Sequence, residues 1–352
     1  MSGKIRWGLL AAGTIARAFA RGLAQSQTGM LLAVGSRTHE KAAAFAAGFG
    51  APRVYGTYDE LLADKDVQAV YISTPHPQHM EWAIRAALAG KHLLVEKPIG
   101  INRHQARAMI DAAAANRVFL MEAYMYRCHP QTARLVELLS EKAIGEVRVI
   151  QATFSFQAAF NPASRLWSNT LAGGGILDVG GYTTSIARLI AGAAVGQPFA
   201  DPLAVTGAGR LHPLTGVDEW AVGTLRFASG SVAQLATGVS VSQENVVRIF
   251  GSEGHILLPT PYVSAREGPV PGRIVVQRNG EQTPRVIDIP TALTSFAHEA
   301  DAVGQAIAAG RQQAAAPAMS WADTLGNLRT QDQWRAAIGL LYESEKKEGA
   351  SV

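Results

Sequence analysis

The sequence predicts an α/β region built on a doubly wound parallel sheet, followed by an α+β region with a large, mostly antiparallel sheet. In the first third of the chain, short apolar runs without polar alternation are separated by helical segments, which is typical of buried parallel strands. From residue 147 onward, alternating polar and apolar residues are separated by turn residues, as in antiparallel strands. The 352 residues are sufficient for two cores, and we predict domains at residues 1–123 and 124–352.

The composition excludes several classes of protein. Hydrophobic residues make up 48% of the chain and charged residues 17%, which is typical of globular rather than disordered proteins. The formal charge of +4 is spread along the chain without a basic stripe, so nucleic acid is not an expected partner. Cys128 is the only cysteine, which excludes an intrachain disulfide and suits a reducing compartment. With no signal-peptide pattern and no apolar run of membrane-spanning length, we predict a cytoplasmic protein that does not enter membranes.

The histidines do not predict a metal site. His76 and His79 are three residues apart, and Cys128 adjoins His129, but neither pair has the further ligands that a metal requires. We interpret these histidines as structural residues and predict no metal.

Six strands are predicted in the first region, at residues 4–10, 30–35, 54–55, 69–72, 93–95 and 118–121. Helices are predicted between them, at residues 15–25, 39–49, 58–63, 78–89 and 103–116, the last with Asn102 as its N-cap. Strands that alternate with helices form a parallel sheet, and such sheets bind ligands at the carboxyl ends of their strands. The loops after the strands are therefore the first places to search for a site.

The turn after the first strand partly matches the dinucleotide fingerprint G-x-G-x-x-G. Ala11, Gly13 and Ala16 occupy its three glycine positions, so only the central glycine is present. If the match holds, Ala11, Gly13, Thr14 and Ile15 lie against the pyrophosphate of a dinucleotide. An ordinary strand-to-helix turn explains this motif alone equally well.

The end of the second strand predicts which dinucleotide is bound. Sites specific for NAD usually place an acidic residue here, whereas an arginine accommodates the 2′-phosphate of NADP. No acid is present, and Ser36, Arg37 and Lys41 offer hydrogen bonds and positive charge. We therefore predict that NADP(H) is preferred and that NAD(H) is also possible, the alternative being that Arg37 and Lys41 only decorate a solvated helix start.

The fifth strand ends in Glu96-Lys97-Pro98, the most informative motif of the chain. A lysine at the carboxyl end of a buried strand lies where α/β sheets bind ligands, although a solvated ion pair at a strand end is the simpler reading. We predict that Lys97 is catalytic and that Glu96 and Pro98 fix the strand end, with a trans bond before Pro98 as the commoner isomer. The cofactor wall is predicted to continue through residues that follow the fourth strand, namely Ser73, Thr74, Pro75 and His79.

The second region is predicted to contain longer, alternating strands. They are expected at residues 147–156, 205–211, 219–227, 232–239, 246–250, 255–258, 273–277 and 285–289. Helices are expected at residues 130–140, 295–309 and 320–344.

A glycine-rich segment supplies the second half of the predicted site. A helix is expected over residues 176–190 with Gly192 as its stop, and Asp178 and Tyr182 then share one helical face. We expect the preceding glycines, residues 173–175, to leave room for the nicotinamide. A phenol beside a cation is a suitable general acid/base, so we predict that Tyr182 is catalytic. The alternative is a buried tyrosine that Asp178 satisfies.

Together these motifs resemble the glucose–fructose oxidoreductase/inositol dehydrogenase family, known as Gfo/Idh/MocA. Glu96-Lys97-Pro98 matches its Glu-Lys-Pro motif, and residues 173–182 resemble its glycine-rich helix with an Asp and, four residues later, a His or Tyr. Tyr182 makes the chain more similar to the dihydrodiol and xylose dehydrogenase branch. Ala11 departs from the family fingerprint, which affects how closely the pyrophosphate can approach.

The resemblance implies an N-terminal Rossmann domain, a C-terminal domain whose open sheet forms a homodimer or homotetramer, and an active site between them. It implies reversible hydride transfer between nicotinamide and a secondary alcohol of a sugar or polyol. Lys97 would stabilise the alkoxide, Tyr182 would move the proton and Asp178 would orient the substrate or Tyr182. Substrate contacts are assigned to polar and aromatic residues near the expected cleft, namely Glu122, Tyr124, Arg127, Arg165 and Trp167. The alternative for Arg165 and Trp167 is packing between the domains.

Three alternatives to a sugar dehydrogenase remain open at this stage. The first is a trans-dihydrodiol dehydrogenase or an anhydrofructose-type reductase, and the second is an enzyme that retains its cofactor and couples two sugars. The third is a dinucleotide-sensing regulator without turnover, against which the presence of Lys97, Asp178 and Tyr182 argues.

Overall fold

The computed structural model describes residues 3–262, 268 and 270–348. Its first sheet has six parallel strands in the order β3-β2-β1-β4-β5-β6. The strands are β1 Ile5–Leu10, β2 Gly29–Gly35, β3 Arg53–Tyr55, β4 Ala69–Ile72, β5 His92–Glu96 and β6 Leu120–Ala123. The helices between them are α1 Thr14–Gln25, α2 His39–Phe49, α3 Tyr58–Ala63, α4 His79–Leu88 and α5 Arg103–Ala115. The strand order reverses beside β1, which creates the crevice where doubly wound sheets bind dinucleotides.

The second sheet has eight strands in the order β14-β13-β12-β11-β7-β10-β9-β8. The β7–β10 pair is parallel and the other pairs are antiparallel, so the predicted, mostly antiparallel sheet is confirmed. The strands are β7 Val147–Ser155, β8 Ala204–Leu211, β9 Asp218–Arg226, β10 Val232–Gly238, β11 Val247–Gly251, β12 Gly254–Leu258, β13 Gly272–Arg278 and β14 Arg285–Ile289. The helices are α6 Pro130–Ser140, α7 Gly181–Ala193, α8 Ser295–Ala308, α9 Trp321–Ala337 and α10 Glu343–Glu348.

Local signals define many of the helix ends. The Thr38 side chain caps α2 by accepting from the Lys41 amide, and Gly50 ends the helix with a φ of 69°. The predicted N-cap of α5 is confirmed, because Asn102 Oδ1 accepts from the Gln105 amide at 3.0 Å. Such contacts span three or four residues, which explains why these ends are readable from sequence.

Two predicted helix ends are wrong. Helix α7 continues through Gly192 to Ala193, and the chain turns at Gly196, whose φ is 72°. Gly192 is instead a close-packing site, since a Cβ there would lie 2.3 Å from Phe199. The helix predicted over residues 320–344 ends at Ala337, because Gly339 adopts a φ of 72°.

The peptide bond between Lys97 and Pro98 is cis, contrary to the trans isomer expected from the sequence. Strand β6 lies two residues further along the chain than predicted, at Leu120–Ala123.

The two sheets share one hydrophobic core. Its buried residues include Trp7 and Tyr71 of the first sheet together with Ile150 of the second. Helices α1 and α8 cross closely, since a Cβ on Gly22 would lie 2.4 Å from Phe296. Packing between the halves therefore forms the walls of the cleft described below. Within the described part of the chain, no helix combines the length and apolar character needed to cross a bilayer.

Candidate active site

A cavity of about 970 Å³ lies where the carboxyl ends of β1, β2, β4 and β5 meet the beginning of α7. Most residues predicted to bind a cofactor line it, together with all three predicted catalytic residues. The predicted residues on its wall are Ala11, Gly13, Thr14, Ile15, Ser36, Arg37, Lys41, Ser73, Thr74, Pro75, His79, Glu96, Lys97, Arg165, Asp178 and Tyr182. Residues separated by up to 171 positions in the sequence therefore meet in one cavity.

The turn after β1 leaves helix α1 without a side-chain cap. Gly13 occupies the N-cap position, makes no side-chain hydrogen bond and has open space where a Cβ would be. The free amides of such a helix start bind anions, so this turn fits a pyrophosphate. Ala11, in the place of the first fingerprint glycine, adopts a φ of 86°, a conformation that strains a residue with a Cβ.

One end of the cavity carries several cations. Arg37 and Lys41 are exposed beside the buried Ser36, and all three, on which the predicted preference for NADP(H) rests, line the cavity. Arg17 also lines this cavity, and its guanidinium lies 5.3 Å from the centre of the Phe45 ring. Arg17 was not among the residues predicted from the sequence, although its place one turn after Gly13 was a usable signal.

His79 joins the loops that follow β4 and β5. Its side chain is fully buried, with Nε2 2.7 Å from the carbonyl oxygen of Thr74 and Nδ1 2.9 Å from that of Pro98. Burial lowers the pKa of His79, although both carbonyls favour the protonated ring. Pro98 itself is buried and lies behind the cavity wall. The buried Thr74 hydroxyl has no partner among the described residues, which fits a ligand group at this wall.

Lys97 is held by the glycine-rich segment. Its ammonium donates to the Asp178 carbonyl oxygen at 2.7 Å and to Asp178 Oδ1 at 3.4 Å. It lies 5.3 Å from the centre of the Tyr182 ring. Behind it, Glu96 accepts from the Tyr71 hydroxyl and from the Lys97 amide. The three predicted catalytic side chains are therefore adjacent.

Asp178 is ionised despite its burial. It lies in a π-helical turn, Ile176–Gly180, that precedes α7, and Arg165 Nη1 donates to its Oδ1 at 2.9 Å. Burial alone would raise the pKa of Asp178, but the charges of Lys97 and Arg165 outweigh it and hold that pKa well below the usual range. The carboxylate is therefore available to orient both cations at neutral pH.

Tyr182 begins the regular part of α7 and is 5% exposed. Its hydroxyl lies 3.5 Å from Met125 Sδ, and its ring packs edge-on against Tyr124 at 5.0 Å between centroids. The cavity also has apolar lining residues, namely Met125 and Phe154, which contact Tyr182, together with Phe156 and Phe296. The tyrosine predicted to be catalytic therefore lines a cavity that also has apolar side chains on its wall.

His76 is a second residue that the sequence analysis did not include in the site. It lines the cavity, is 7% exposed, and its Nδ1 has no partner in the described part of the chain. Burial, with the nearby Arg165, lowers the pKa of His76 well below its ordinary value, so the ring is neutral at pH 7. Its position one residue after Ser73-Thr74-Pro75 was the available signal.

Four predicted substrate residues lie inside the protein, which contradicts the expectation that they face the cleft. Glu122 is 1% exposed and accepts from the Ile99 amide and the Thr324 hydroxyl. Burial raises the pKa of Glu122 to about 7. The others are Tyr124, whose hydroxyl accepts from Asn327, Arg127, which is paired with Asp323, and Trp167, whose indole donates to the Ala159 carbonyl.

The glycines of residues 173–175 serve packing rather than clearance for a ligand. A Cβ on Gly173 would lie 2.5 Å from the Arg165 carbonyl oxygen, and one on Gly174 would lie 2.0 Å from Asp218 Oδ1. Gly174 also has a φ of 102°, which favours glycine. The expectation that these glycines make room for nicotinamide is therefore wrong. Among the described residues, no group of three or more His, Cys, Asp or Glu is arranged to hold a metal.

Comparison with family models gives two matches. Residues 5–124 match the model described as "Oxidoreductase family, NAD-binding Rossmann fold". Residues 131–257 match the model described as "GFO/IDH/MocA C-terminal domain".

Individual proteins are similar over most of the chain. A trans-1,2-dihydrobenzene-1,2-diol dehydrogenase of Mus musculus is 35% identical over 71% of this chain and 73% of its own. The crystal structure of KijD10, a 3-ketoreductase from Actinomadura kijaniata in complex with NADP and TDP-benzene, superposes with a TM-score of 0.84 at 28% identity, covering 96% of this chain and 98% of that one. An aldose–aldose oxidoreductase from Caulobacter crescentus complexed with glycerol gives a TM-score of 0.83 at 27% identity, covering 95% and 97%.

Proposed function

Because the chain belongs to the Gfo/Idh/MocA family of oxidoreductases, we propose that it is an NADP(H)-dependent dehydrogenase/reductase acting on a secondary alcohol or carbonyl of a sugar or polyol. The observation that carries this proposal is the contact of Lys97 with Asp178 beside Tyr182, in a cavity that also contains the dinucleotide turn. The bound cofactor would supply or accept the hydride.

In this mechanism Lys97 stabilises charge on the reacting oxygen. An ammonium has three donors, and Lys97 directs two of them to Asp178, which leaves one for a substrate oxygen. A donor that is held in place before reaction stabilises a developing alkoxide without reorganisation. Asp178 is the orienting group, because its carbonyl and carboxylate oxygens both accept from the same ammonium.

Tyr182 moves the proton. During reduction its hydroxyl would give a proton to the carbonyl oxygen of the substrate, and during oxidation the phenolate would take the proton of the substrate hydroxyl. Lys97, 5.3 Å from the ring centre, favours the charged form electrostatically. Arg165 lies on the cavity wall and donates one hydrogen bond to Asp178. Its other N–H donors can bind substrate hydroxyls.

The preference for NADP(H) rests on the charge at the adenosine end of the cavity. Arg37, Lys41 and Arg17 line it, and Ser36 provides a hydroxyl. An acidic residue that would hold a free 2′-hydroxyl is absent from the residues that line this cavity end. NAD(H) remains an acceptable but weaker cofactor in this proposal.

A second candidate is a trans-dihydrodiol dehydrogenase. The wall of Met125, Phe154, Phe156 and Phe296 suits a substrate ring with an apolar face, and the Mus musculus relative carries that activity in its name. A sugar also presents C–H groups to such a wall, so the wall by itself favours neither class.

The deciding experiment follows absorbance at 340 nm across sugars, polyols and trans-dihydrodiols, with NADP⁺ and NAD⁺ in parallel. We expect turnover with one substrate class and a higher kcat/KM with NADP⁺. Arg37→Ala should raise the KM for NADP⁺ at least tenfold more than that for NAD⁺, since only the former carries the 2′-phosphate. Equal effects on both cofactors would refute the cofactor preference, and cofactor binding without turnover would favour a cofactor-retaining enzyme or the regulator.

We also propose a cytoplasmic homo-oligomer assembled through the second sheet. Trp220 and Val222 are two residues apart on β9, so they share a face, and they are 38% and 51% exposed. Exposed apolar groups on a sheet face favour association. Light scattering that gives the mass of one chain, 37.3 kDa, would exclude this assembly. The domain division after residue 123 is likewise a proposal, supported by the end of β6 at Ala123.

A further inference from the structure

We propose that three residues near the C-terminus, Arg335, Tyr342 and Glu345, form a clamp that sets the position of Lys97 against Asp178, with Tyr342 as a positioning residue. This inference rests on the proposed function, in which the contact between Lys97 and Asp178 is catalytic. These three residues are hereafter the C-terminal clamp. None of them lines the active-site cavity, so their effect is transmitted through other residues.

One side of the clamp holds the loop that carries Lys97. Arg335 Nη2 donates to the Ile101 carbonyl at 3.2 Å, four residues after Lys97. Glu345 Oε1 accepts from Asn102 Nδ2 at 3.1 Å. The clamp therefore binds Ile101 and Asn102, which end the loop that begins at Lys97.

The other side of the clamp holds the segment that carries Asp178. The Tyr342 hydroxyl donates to the Gly173 carbonyl at 2.8 Å, and its side chain is fully buried. Gly173 is five residues before Asp178 and immediately precedes the turn that begins the π-helical segment. A buried hydrogen bond of this kind is costly to lose, because the Gly173 carbonyl would have no water to replace it.

The clamp is internally rigid. Arg335 Nη1 donates to Glu345 Oε2 at 2.8 Å, and the Tyr342 amide donates to the same oxygen at 3.1 Å. The Arg335 guanidinium also lies 4.8 Å from the centre of the Tyr342 ring. The contacts of the clamp with the Lys97 loop and with Gly173 therefore cannot move independently of each other.

An apolar cluster joins the same three segments. It contains Ile101 from the Lys97 loop, Leu340 and Tyr342 from the C-terminal segment, and Ala172 and Leu177 from either side of the glycines, each at most 4% exposed. Close packing in such a cluster resists changes of spacing. Hydrogen bonds and packing thus both fix the distance of the C-terminal segment from the Lys97 loop and its distance from the glycine-rich segment.

Further hydrogen bonds make the glycine turn rigid, so a movement of Gly173 is transmitted to Asp178. Asp218 Oδ2 accepts from the Ile176 amide at 2.7 Å, and Thr237 donates to the Gly175 carbonyl at 3.1 Å. The path from Lys97 through Ile101, the clamp and the glycine turn closes at the Asp178 carbonyl, which accepts from Lys97. A closed path of short contacts sets the separation of the catalytic pair.

The test is Tyr342→Phe, which removes one hydroxyl and keeps the ring. We expect kcat to fall about five- to tenfold, the effect of one buried hydrogen bond, while the KM for NADP⁺ changes less than twofold. The matched control is Tyr55→Phe, which removes a 2.9 Å hydrogen bond to Asp64 in the first domain and should leave kcat unchanged. An unchanged kcat in Tyr342→Phe, or an equal loss in Tyr55→Phe, would overturn the proposal.

Two further measurements separate positioning from a loss of stability. In a Lys97→Ala background the effect of Tyr342→Phe on the residual kcat should disappear, whereas additive losses would show that Tyr342 does not act through the contact of Lys97 with Asp178. Hydrogen–deuterium exchange of residues 173–182 should accelerate at least threefold in Tyr342→Phe and stay unchanged in Tyr55→Phe. The exchange readout needs no turnover, so it decides on the clamp even if the wild-type protein oxidises no tested substrate and the proposed function fails.

Discussion

Two clusters of charged side chains in this protein have the same arrangement, but one lies on the cavity wall and the other is buried in the interior. In the cleft cluster, formed by Lys97, Arg165 and Asp178, one carboxylate accepts from two cations. In the interior cluster, formed by Arg127, Arg188 and Asp323, one carboxylate again accepts from two cations. The Arg165 side chain is 47% exposed, whereas both arginines of the interior cluster are fully buried.

The difference teaches that unused donors, rather than the pairing of charges, distinguish a cluster that can bind a ligand from a structural one. Arg127 gives its donors to the Pro317 carbonyl, the Ser185 hydroxyl and Asp323. Lys97 gives two of its three donors to Asp178 and lies on a cavity wall. The interior cluster thus joins elements of the fold, while the cleft cluster can still bind another molecule.

The largest expected effect comes from breaking the cleft cluster at its cation. Lys97→Ala should lower kcat roughly 10³-fold, because the oxyanion loses a donor that was already in place. The thermal midpoint should change little, since Arg165 still pairs with Asp178. Steady-state kinetics and a thermal melt test both statements.

Lys65→Ala, at an exposed lysine far from the cavity wall, is the matched control and should behave as wild type. If Lys97→Ala turns over at the wild-type rate, the mechanism is wrong.

Breaking the interior cluster should have the reverse outcome. Asp323→Asn leaves the buried Arg127 without its carboxylate partner, while Arg188 keeps Asp201, so the free energy of unfolding should fall by roughly 3 kcal/mol. Well below the melting temperature, kcat should stay within about threefold of wild type, since Asp323 contacts no residue of the cleft cluster among those described. Urea denaturation, read beside initial rates, measures both quantities.

Asp59→Asn breaks the exposed pair with Arg85 and serves as the control, with an expected change below about 0.5 kcal/mol. A loss of catalysis without a loss of stability in Asp323→Asn would remove the distinction between the two clusters.

A smaller effect, dependent on pH, should sharpen the comparison. Burial raises the pKa of Glu122 to about 7, so between its unfolded value near pH 4.5 and pH 7 only the folded state holds this proton. The stabilisation is complete below pH 4.5 and is lost as pH rises through 7. Wild type should therefore lose roughly 2–3 kcal/mol relative to Glu122→Gln between pH 4.5 and pH 8.

Chemical denaturation at both pH values measures this difference. Glu81→Gln, at an exposed glutamate, should track wild type at each pH. A constant difference between Glu122→Gln and wild type would contradict the assigned titration.

Residues 122–127 show where sequence reasoning reached its limit. A polar-aromatic connector after the last parallel strand was a reasonable place for substrate contacts, and Arg127 and Arg165 looked alike as polar loop residues. Only Arg165 faces the cavity, because Arg127 is taken up by Asp323, 196 residues later in the chain. A partner so far along the chain leaves no signal in the sequence around Arg127.

The same limit applies to the glycines. Gly192 was predicted as the helix stop, but the close approach of Phe199 explains why it lies inside the helix, and the chain turns at Gly196 instead. Residues 173–175 were expected to leave room for nicotinamide, but the groups that approach them are Asp218 and the Arg165 carbonyl rather than a ligand.

By itself, the sequence determined the element order and the sheet types, and it marked the turn after β1 and the three proposed catalytic residues that the structure brings to one cavity. Burial patterns, caps and strand ends depend on residues one to four positions apart, so they can be predicted from the local sequence. The tertiary structure alone decided which charges face the cavity, added Arg17 and His76 to its wall, and tied Tyr342 to Gly173. Those outcomes depend on packing between distant segments, where burial and the supply of hydrogen-bond partners are properties of the whole fold.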